Sequence, residues 1–350
     1  MKDLLGKLQK VDSEGMHAKM SAFPAQVEEA SQLGRAFRYG AFEQIDNVVV
    51  CGMGGSAIGG DLAKDYLIDS IRVPIEVNRD YHLPAYAGKR SLVLVSSYSG
   101  NTEETISSLR DALRRGSVIR GLTTGGEIER ICVSKGIPLL KIPLGFAPRE
   151  ALAFSFIPIL FLLRPFCEGE DLEGEVAEAI ITLNELSSKL SNPGQENEAY
   201  LLARDLYGYF PVIYSQSRHF SSVVRRWRSQ LAENSEVLAS SHQLPELSHN
   251  EIMGWEHDGD LLSRFHVVLL KDQGFNKRVL MSWKYILEII KDKAGKVSEI
   301  GSEGKGLLAR MLSLIYKGDF VTLYLSYLRG VNPTPVDKIE LLKRRLAGSF

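Results

Sequence analysis

Ser91-Leu-Val-Leu-Val-Ser-Ser-Tyr-Ser-Gly-Asn-Thr-Glu-Glu-Thr105 is the stretch on which the reading of this chain turns. Four apolar residues, Leu92 to Val95, end in a turn crowded with hydroxyls: Ser96, Ser97, Ser99 and Thr102 around Gly100 and Asn101. Glu103, Glu104 and the spacing of Ile106 and Leu109 then predict a helix. A strand that stops in such a turn and becomes a helix makes an anion pocket. Backbone N–H groups at the helix start lack carbonyl partners, and the helix dipole is positive there. Hydroxyls add donors without charge. Helix capping alone would use one such residue, and this turn has four. The expected ligand group is a phosphate.

The pattern repeats on both sides. Asn47 to Cys51 is a short apolar strand running into Gly52-Met-Gly-Gly-Ser-Ala-Ile-Gly-Gly60 and a helix through Tyr66. Strands are also predicted over 73–77, 118–122 and 138–142, with a helix after each Gly- or Ser-rich turn. Strands apolar on both faces and separated by helices define a parallel sheet covered on both sides. Its ligands belong at the carboxyl ends of the strands. Beyond the apolar run 151–163 and the acidic stretch 168–174, the alternation restarts. Strands are expected at 211–214, 265–270 and 296–300, and helices at 175–191, 223–232, 277–290 and 306–316. The segment 330–336 reads as extended, with a helix behind it. Residues 1–40 read as helical. The whole is an α/β chain of two domains, 1–165 and 166–350, with a ligand held between two similar halves.

Composition excludes several classes. Of 350 residues, 44% are hydrophobic and 24% charged, as in ordinary soluble proteins, and the net charge of −1 offers no field for nucleic acid or an anionic membrane. Cys51, Cys132 and Cys167 are scattered and odd in number, which points to a reducing, cytoplasmic setting and to no cysteine metal site. The first ten residues carry charges throughout and no signal-peptide core, and 151–163 is too short to span a bilayer.

Single motifs are weaker. Gly52-x-Gly54-x-x-Ala57 fits a loose dinucleotide fingerprint, but Asn78 and Arg79 stand where an acid should meet the ribose. Gly55-Ser56 favours a phosphate or sugar phosphate over NAD(P). Glu233, near the end of a helix, would by default face solvent. His249 in Pro245-Glu-Leu-Ser-His-Asn-Glu-Ile252 would by default sit in a turn or core. Arg225, Arg226 and Arg228 read as a solvated basic face.

Taken together, Gly52–Gly59, Ser97–Thr105, Glu233-Asn234 and Ser248-His-Asn-Glu251 resemble the bifunctional phosphoglucose/phosphomannose isomerases of the sugar isomerase (SIS) superfamily, from about residue 45 to 345. The resemblance implies two SIS (flavodoxin-like) domains, each a parallel sheet sandwiched by helices. It also implies a homodimer, no metal or redox cofactor, and a sugar 6-phosphate substrate. Gly54, Gly55, Ser56, Ser97, Ser99 and Thr102 would hold the phosphate, and Glu233 would be the base between C1 and C2. Arg149 would stabilise the enediolate. His249, reaching in from the neighbouring subunit, and Lys343, in Thr334-Pro-Val-x-x-Ile-x-x-Leu-Lys343, would assist ring opening. Ala153 and Ala232 depart from the family pattern, which leaves the glucose–mannose preference open. The chemistry fits these residue types: a carboxylate to carry the proton, a cation beside the oxygen that gains charge, and a histidine for ring opening. Two alternatives remain: another SIS sugar-phosphate isomerase, or a sugar-phosphate sensor, which would carry a DNA-binding domain that residues 1–40 are too short to supply.

Overall fold

In the computed structural model, residues 10–42, 44–169, 171–194, 196–256 and 260–347 are described. Among them, nine strands form two parallel sheets. The first contains β1 (Asn47–Cys51), β2 (Ile75–Asn78), β3 (Ser91–Ser97), β4 (Val118–Thr123) and β5 (Leu139–Lys141), in the order β2-β1-β3-β4-β5. The second contains β6 (Phe210–Gln216), β7 (Ser240–Leu244), β8 (Phe265–Lys271) and β9 (Lys296–Gly301), in the order β7-β6-β8-β9. The first order is the flavodoxin-like one, with its switch point between β1 and β3. The register aligns Cys51 with Val95 and Ser97 with Thr123. The three hydroxyl- and glycine-rich turns therefore leave one edge of the sheet side by side.

The helices are α1 (Met16–Ser21), α2 (Phe23–Ala36), α3 (Gly54–Leu67), α4 (Glu103–Arg115), α5 (Gly126–Lys135) and α6 (Leu152–Leu163), then α7 (Leu172–Leu190), α8 (Glu198–Leu206), α9 (Ser221–Ser235), α10 (Lys277–Ile290), α11 (Leu307–Arg329) and α12 (Asp337–Ala347). Two of them form the centre. Every residue of α6 is buried, and α6 packs against α2 and α3. The longer α11 is buried from Leu308 to Tyr327 except at Arg310 and packs against α7, α8 and α9. Helices buried on all sides lie inside a structure, and both of these pack against other helices, α11 with polar side chains such as Lys317, Asp319 and Thr322 buried along it. The halves meet where α2 packs on α7, where α3 touches α9 and where α1 touches α11.

Several sequence expectations change here. The apolar run 151–163, given no secondary structure from sequence, is helical over Leu152–Leu163, and α11 extends well past the expected 306–316. Its end was hidden because a helix buried all round shows no polar stripe to mark its length. β7 (Ser-Ser-His-Gln-Leu) was not expected: it is a polar edge strand without the apolar run that marks its neighbours. The leading helix α1 packs on α11, and Tyr327 donates its hydroxyl to Asp12 at 2.9 Å, so this segment lies against the second half of the chain.

Candidate active site

The glycines of the first loop set its geometry by close approach. A Cβ on Gly55 would sit 2.6 Å from the Pro148 carbonyl oxygen and 2.9 Å from the Arg149 nitrogen. One turn on, a Cβ on Gly59 would sit 2.1 Å from the Ser155 oxygen. Only bare backbone lets the start of α3 lie against the segment 148–155, and that contact delivers Arg149 to the helix N-terminus. Gly54 and Gly55 line a cavity of about 410 Å³ together with Ile58, Arg79, Arg149 and Glu233. The rest of its wall comes from α9 and β7: Arg225, Arg226, Arg228, Ser229, Gln230, Ser241 and Gln243.

The hydroxyl turn lies directly behind this loop. Ser56, buried in the first turn of α3, accepts a hydrogen bond from the Tyr98 N–H at 3.0 Å. Ser97 and Thr102 share a hydroxyl–hydroxyl bond of 2.9 Å, and the Gly100 N–H donates to Ser97 Oγ. Thr102 occupies the N-cap of α4, yet its side chain makes no cap bond. Capping therefore does not account for the hydroxyls. Ser99 is exposed, and Ser97, Ser99 and Thr102 stand outside the cavity wall itself. Gly100 (φ 67°) closes the turn; a Cβ there would overlap the Gly125 carbonyl at 1.7 Å.

Charge is concentrated on the other side. Arg149 is 3% exposed. Its Nε donates to Asn234 Oδ1 at 2.7 Å, and its Nη2 donates to the carbonyls of Pro333 and Thr334 at 2.6 and 2.7 Å. Its Nη1 lies 3.8 Å from Glu233 Oε2, whose side chain is partly exposed to the cavity. Burial pushes the guanidinium below its ordinary value and the Glu233 carboxylate pulls it back up; it stays a cation. Arg226, read from sequence as part of a solvated face, is instead buried and paired with Asp319 at 2.7 Å. Arg225 and Arg79 both pair with Asp61 while lining the cavity. The basic stretch on α9 is thus a cavity wall, a role visible only once α3 and α11 are packed against it.

The fold brings together Gly54, Gly55, Arg149 and Glu233, with Ser56 joined to them through the loop. His249 is exposed in the short turn after β7, and Lys343 is exposed on α12. Neither lines the cavity of the single chain. Sequence reasoning named Arg79 and Asn234 without giving either a role at the site, and passed over Gln230, Ser241 and Gln243. The stride Arg226, Gln230, Asn234 was the available signal: polar side chains every fourth residue along a helix whose neighbours on that face are apolar.

A parallel sheet in flavodoxin-like order, with helix N-termini and a guanidinium–carboxylate pair at its carboxyl edge, fits the sugar-isomerase (SIS) class of fold, to which the sequence comparisons assign the chain. The chain aligns over 99% of its length with a hypothetical protein of Thermus thermophilus of known structure, covering 95% of that chain at a TM-score of 0.74 and 15% identity. The sequence model of the bacterial phospho-glucose isomerase C-terminal SIS domain matches residues 195–346. Bifunctional phosphoglucose/phosphomannose isomerase of Caldicellulosiruptor bescii is 40% identical over 93% of this chain and 96% of its own. The enzyme of the same name from Aquifex aeolicus is 35% identical over 85% of this chain and 90% of its own. The protein belongs to the bifunctional phosphoglucose/phosphomannose isomerase family and is an isomerase.

Proposed function

We propose that the protein interconverts glucose 6-phosphate and mannose 6-phosphate with fructose 6-phosphate by proton transfer through a cis-enediol. The observation that carries this reading is the Arg149–Glu233 pair facing a cavity that also exposes the start of α3. Gly54, Gly55 and Ser56, with Ser97, Ser99 and Thr102 behind them, are assigned to the 6-phosphate, the part of the substrate that does not react. Binding energy there holds the sugar in place for the chemistry at C1 and C2.

Glu233 takes the proton from C2 of the open-chain aldose. The C2–H electron pair becomes the C1–C2 double bond, and negative charge moves to O1, beside the Arg149 cation. A proton passes from O2 to O1, the C2 carbonyl forms, and Glu233 returns its proton to C1. The two aldoses are epimers at C2 and give the same enediol once that carbon is planar, so one base serves both. His249 from a second subunit and Lys343 are assigned to ring opening.

Their exposure in the single chain agrees with a homodimer that completes the site. So does α12, where Ile339, Leu342 and Leu346 leave an apolar face uncovered. We assign the protein to cytoplasmic sugar-phosphate metabolism in glycolysis and gluconeogenesis, with its three cysteines as free thiols. No helix among the described residues is long and apolar enough to cross a membrane.

The test is a coupled assay of fructose 6-phosphate formation from each aldose, with and without EDTA. Activity on both that survives the chelator is expected. Activity on neither aldose overturns the reading, and a requirement for metal overturns the mechanism.

A further inference from the structure

The mechanism needs Arg149 to keep its charge and to present one edge to the sugar. A buried guanidinium held by a carboxylate has its field offset by the partner's negative charge, and burial of the pair costs desolvation. Here the hydrogen-bond partners of Nε and Nη2 are neutral, and the one carboxylate, Glu233, stands off Nη1 at 3.8 Å. Nε and Nη2 are held by an amide oxygen and two backbone carbonyls, which leaves Nη1 directed to Glu233 and the cavity.

The side-chain partner is itself fixed. Asn234 is 0% exposed, and its Nδ2 donates to Thr322 Oγ1 on α11 at 3.0 Å. Thr322 donates its own proton to the Asp319 carbonyl at 2.9 Å, so toward Asn234 it can only accept. Arginine can only donate. The two neighbours therefore force the same amide orientation, with Oδ1 on Arg149 and Nδ2 on Thr322. The backbone is held from the same direction. Arg226, two turns earlier on α9, donates to the Arg149 carbonyl at 3.1 Å and to Asp319 at 2.7 Å. Gln230 between them donates to the other oxygen of Asp319 at 3.1 Å.

We propose that Asn234, oriented by Thr322, is a positioning residue that fixes the Arg149 guanidinium in the rotation that faces the reacting oxygens. The proposal rests on the reading of Arg149 as the cation beside the enediolate. Asparagine serves here because the amide locates the guanidinium without adding a second negative charge to the one that Glu233 already places beside it. The serial arrangement α11–α9–Arg149 makes the central helix part of the site without any contact of its own to the substrate.

The test uses Asn234→Ala, Thr322→Val, Thr322→Ser and Arg149→Lys, each checked for a native melting transition. In Asn234→Ala, kcat is expected to fall about 10- to 100-fold with KM within about threefold, since a misplacement of about 1 Å in a catalytic group costs on that order. Thr322→Val is expected to lower kcat less, and Thr322→Ser to restore it. In the Arg149→Lys background, Asn234→Ala should add nothing, because the residue acts through Arg149. An equal further loss in that background, or a change confined to KM, overturns the proposal. If Asn234→Ala does not fold, the threonine pair decides: unchanged kcat in Thr322→Val overturns it. If Arg149→Lys turns over like the wild type, the assignment of Arg149 falls and takes the positioning role with it. Loss in Arg149→Lys with wild-type kcat in Asn234→Ala removes the positioning role alone.

Discussion

The turn at 96–102 offers hydroxyls and backbone amides drawn from seven consecutive residues, whereas the Arg149 cluster is assembled from partners 85 and 184 residues away in the chain. The first carries no formal charge; the second buries a cation beside a carboxylate. On the proposed function the difference follows from what each has to do. An anion can be held by the dipoles at a helix start, which come with local structure. Charge that develops during a reaction needs a fixed ion in a dry place, and fixing it takes rigid elements from several parts of the fold. The comparison predicts that damage to the turn is read in binding and damage to the cluster in turnover.

The largest expected effect is Glu233→Gln. Removing the proton carrier should lower kcat by about 10³-fold, within the range for general base catalysis, while inorganic phosphate still competes with substrate as before. Residual turnover near wild type would remove Glu233 as the base; loss of phosphate competition would mean that the two regions are not separable.

Gly55→Ala joins the regions and comes next. Its Cβ would press on the peptide between Pro148 and Arg149, backbone that cannot swing aside. A stability loss of about 1–3 kcal/mol is expected from overpacking, together with a fall in kcat as Arg149 shifts. Thermal melting and steady-state kinetics of the variant check both. An unchanged melting temperature would show that the helix start tolerates displacement and that the glycine serves the ligand instead.

These two regions also differ in how far the sequence disclosed them. The first sheet, its order of strands and helices, and both turns were readable because every signal lay within a few residues: apolar runs, glycines, hydroxyls and acidic helix starts. Glu233 and Arg149 entered only through family resemblance. Nothing local distinguishes a catalytic glutamate from one that faces solvent. Within the basic run at 225–228, Arg225 and Arg228 are exposed as expected, and Arg226 alone was misread, for the same reason. Arg226 is buried because Asp319 is brought to it from α11, a pairing that no pattern in either segment encodes. β7 escaped because a polar edge strand has no apolar signature. His249, Lys343 and the apolar side chains of α12 are exposed in the single chain, and only the proposed homodimer gives them a role in the site.

A smaller effect is expected in the turn. Ser97→Ala with Thr102→Val removes a pair of hydroxyls that bond each other at 2.9 Å. If they serve the phosphate, KM for both aldose phosphates should rise about tenfold, equivalent to about 1.4 kcal/mol, with kcat nearly unchanged. A fall in kcat at constant KM would break the division between anchoring and chemistry.

The smallest effect concerns acid stability, and it asks whether the two halves share one response. In the first half, burial would raise Asp111, but the Leu83 N–H and the Arg115 and Arg114 guanidinium groups outweigh it and hold the carboxyl below its ordinary value. In the second half, burial likewise opposes a lowering of Glu299 by Trp283 and Lys271, and of Glu303 by Lys317. A carboxylate depressed in the folded state binds fewer protons there than when unfolded. Its contribution is therefore complete above the unfolded value of about 4 and is lost as the pH falls through the lower folded value. Melting temperature should be flat toward neutral pH and decline below about pH 4.5. Asp111→Asn and Glu303→Gln should each lower the plateau slightly and flatten the acid limb, because each removes one such group. A melting curve that rises as the pH falls through that window would reverse the sign and remove these pairs as the cause.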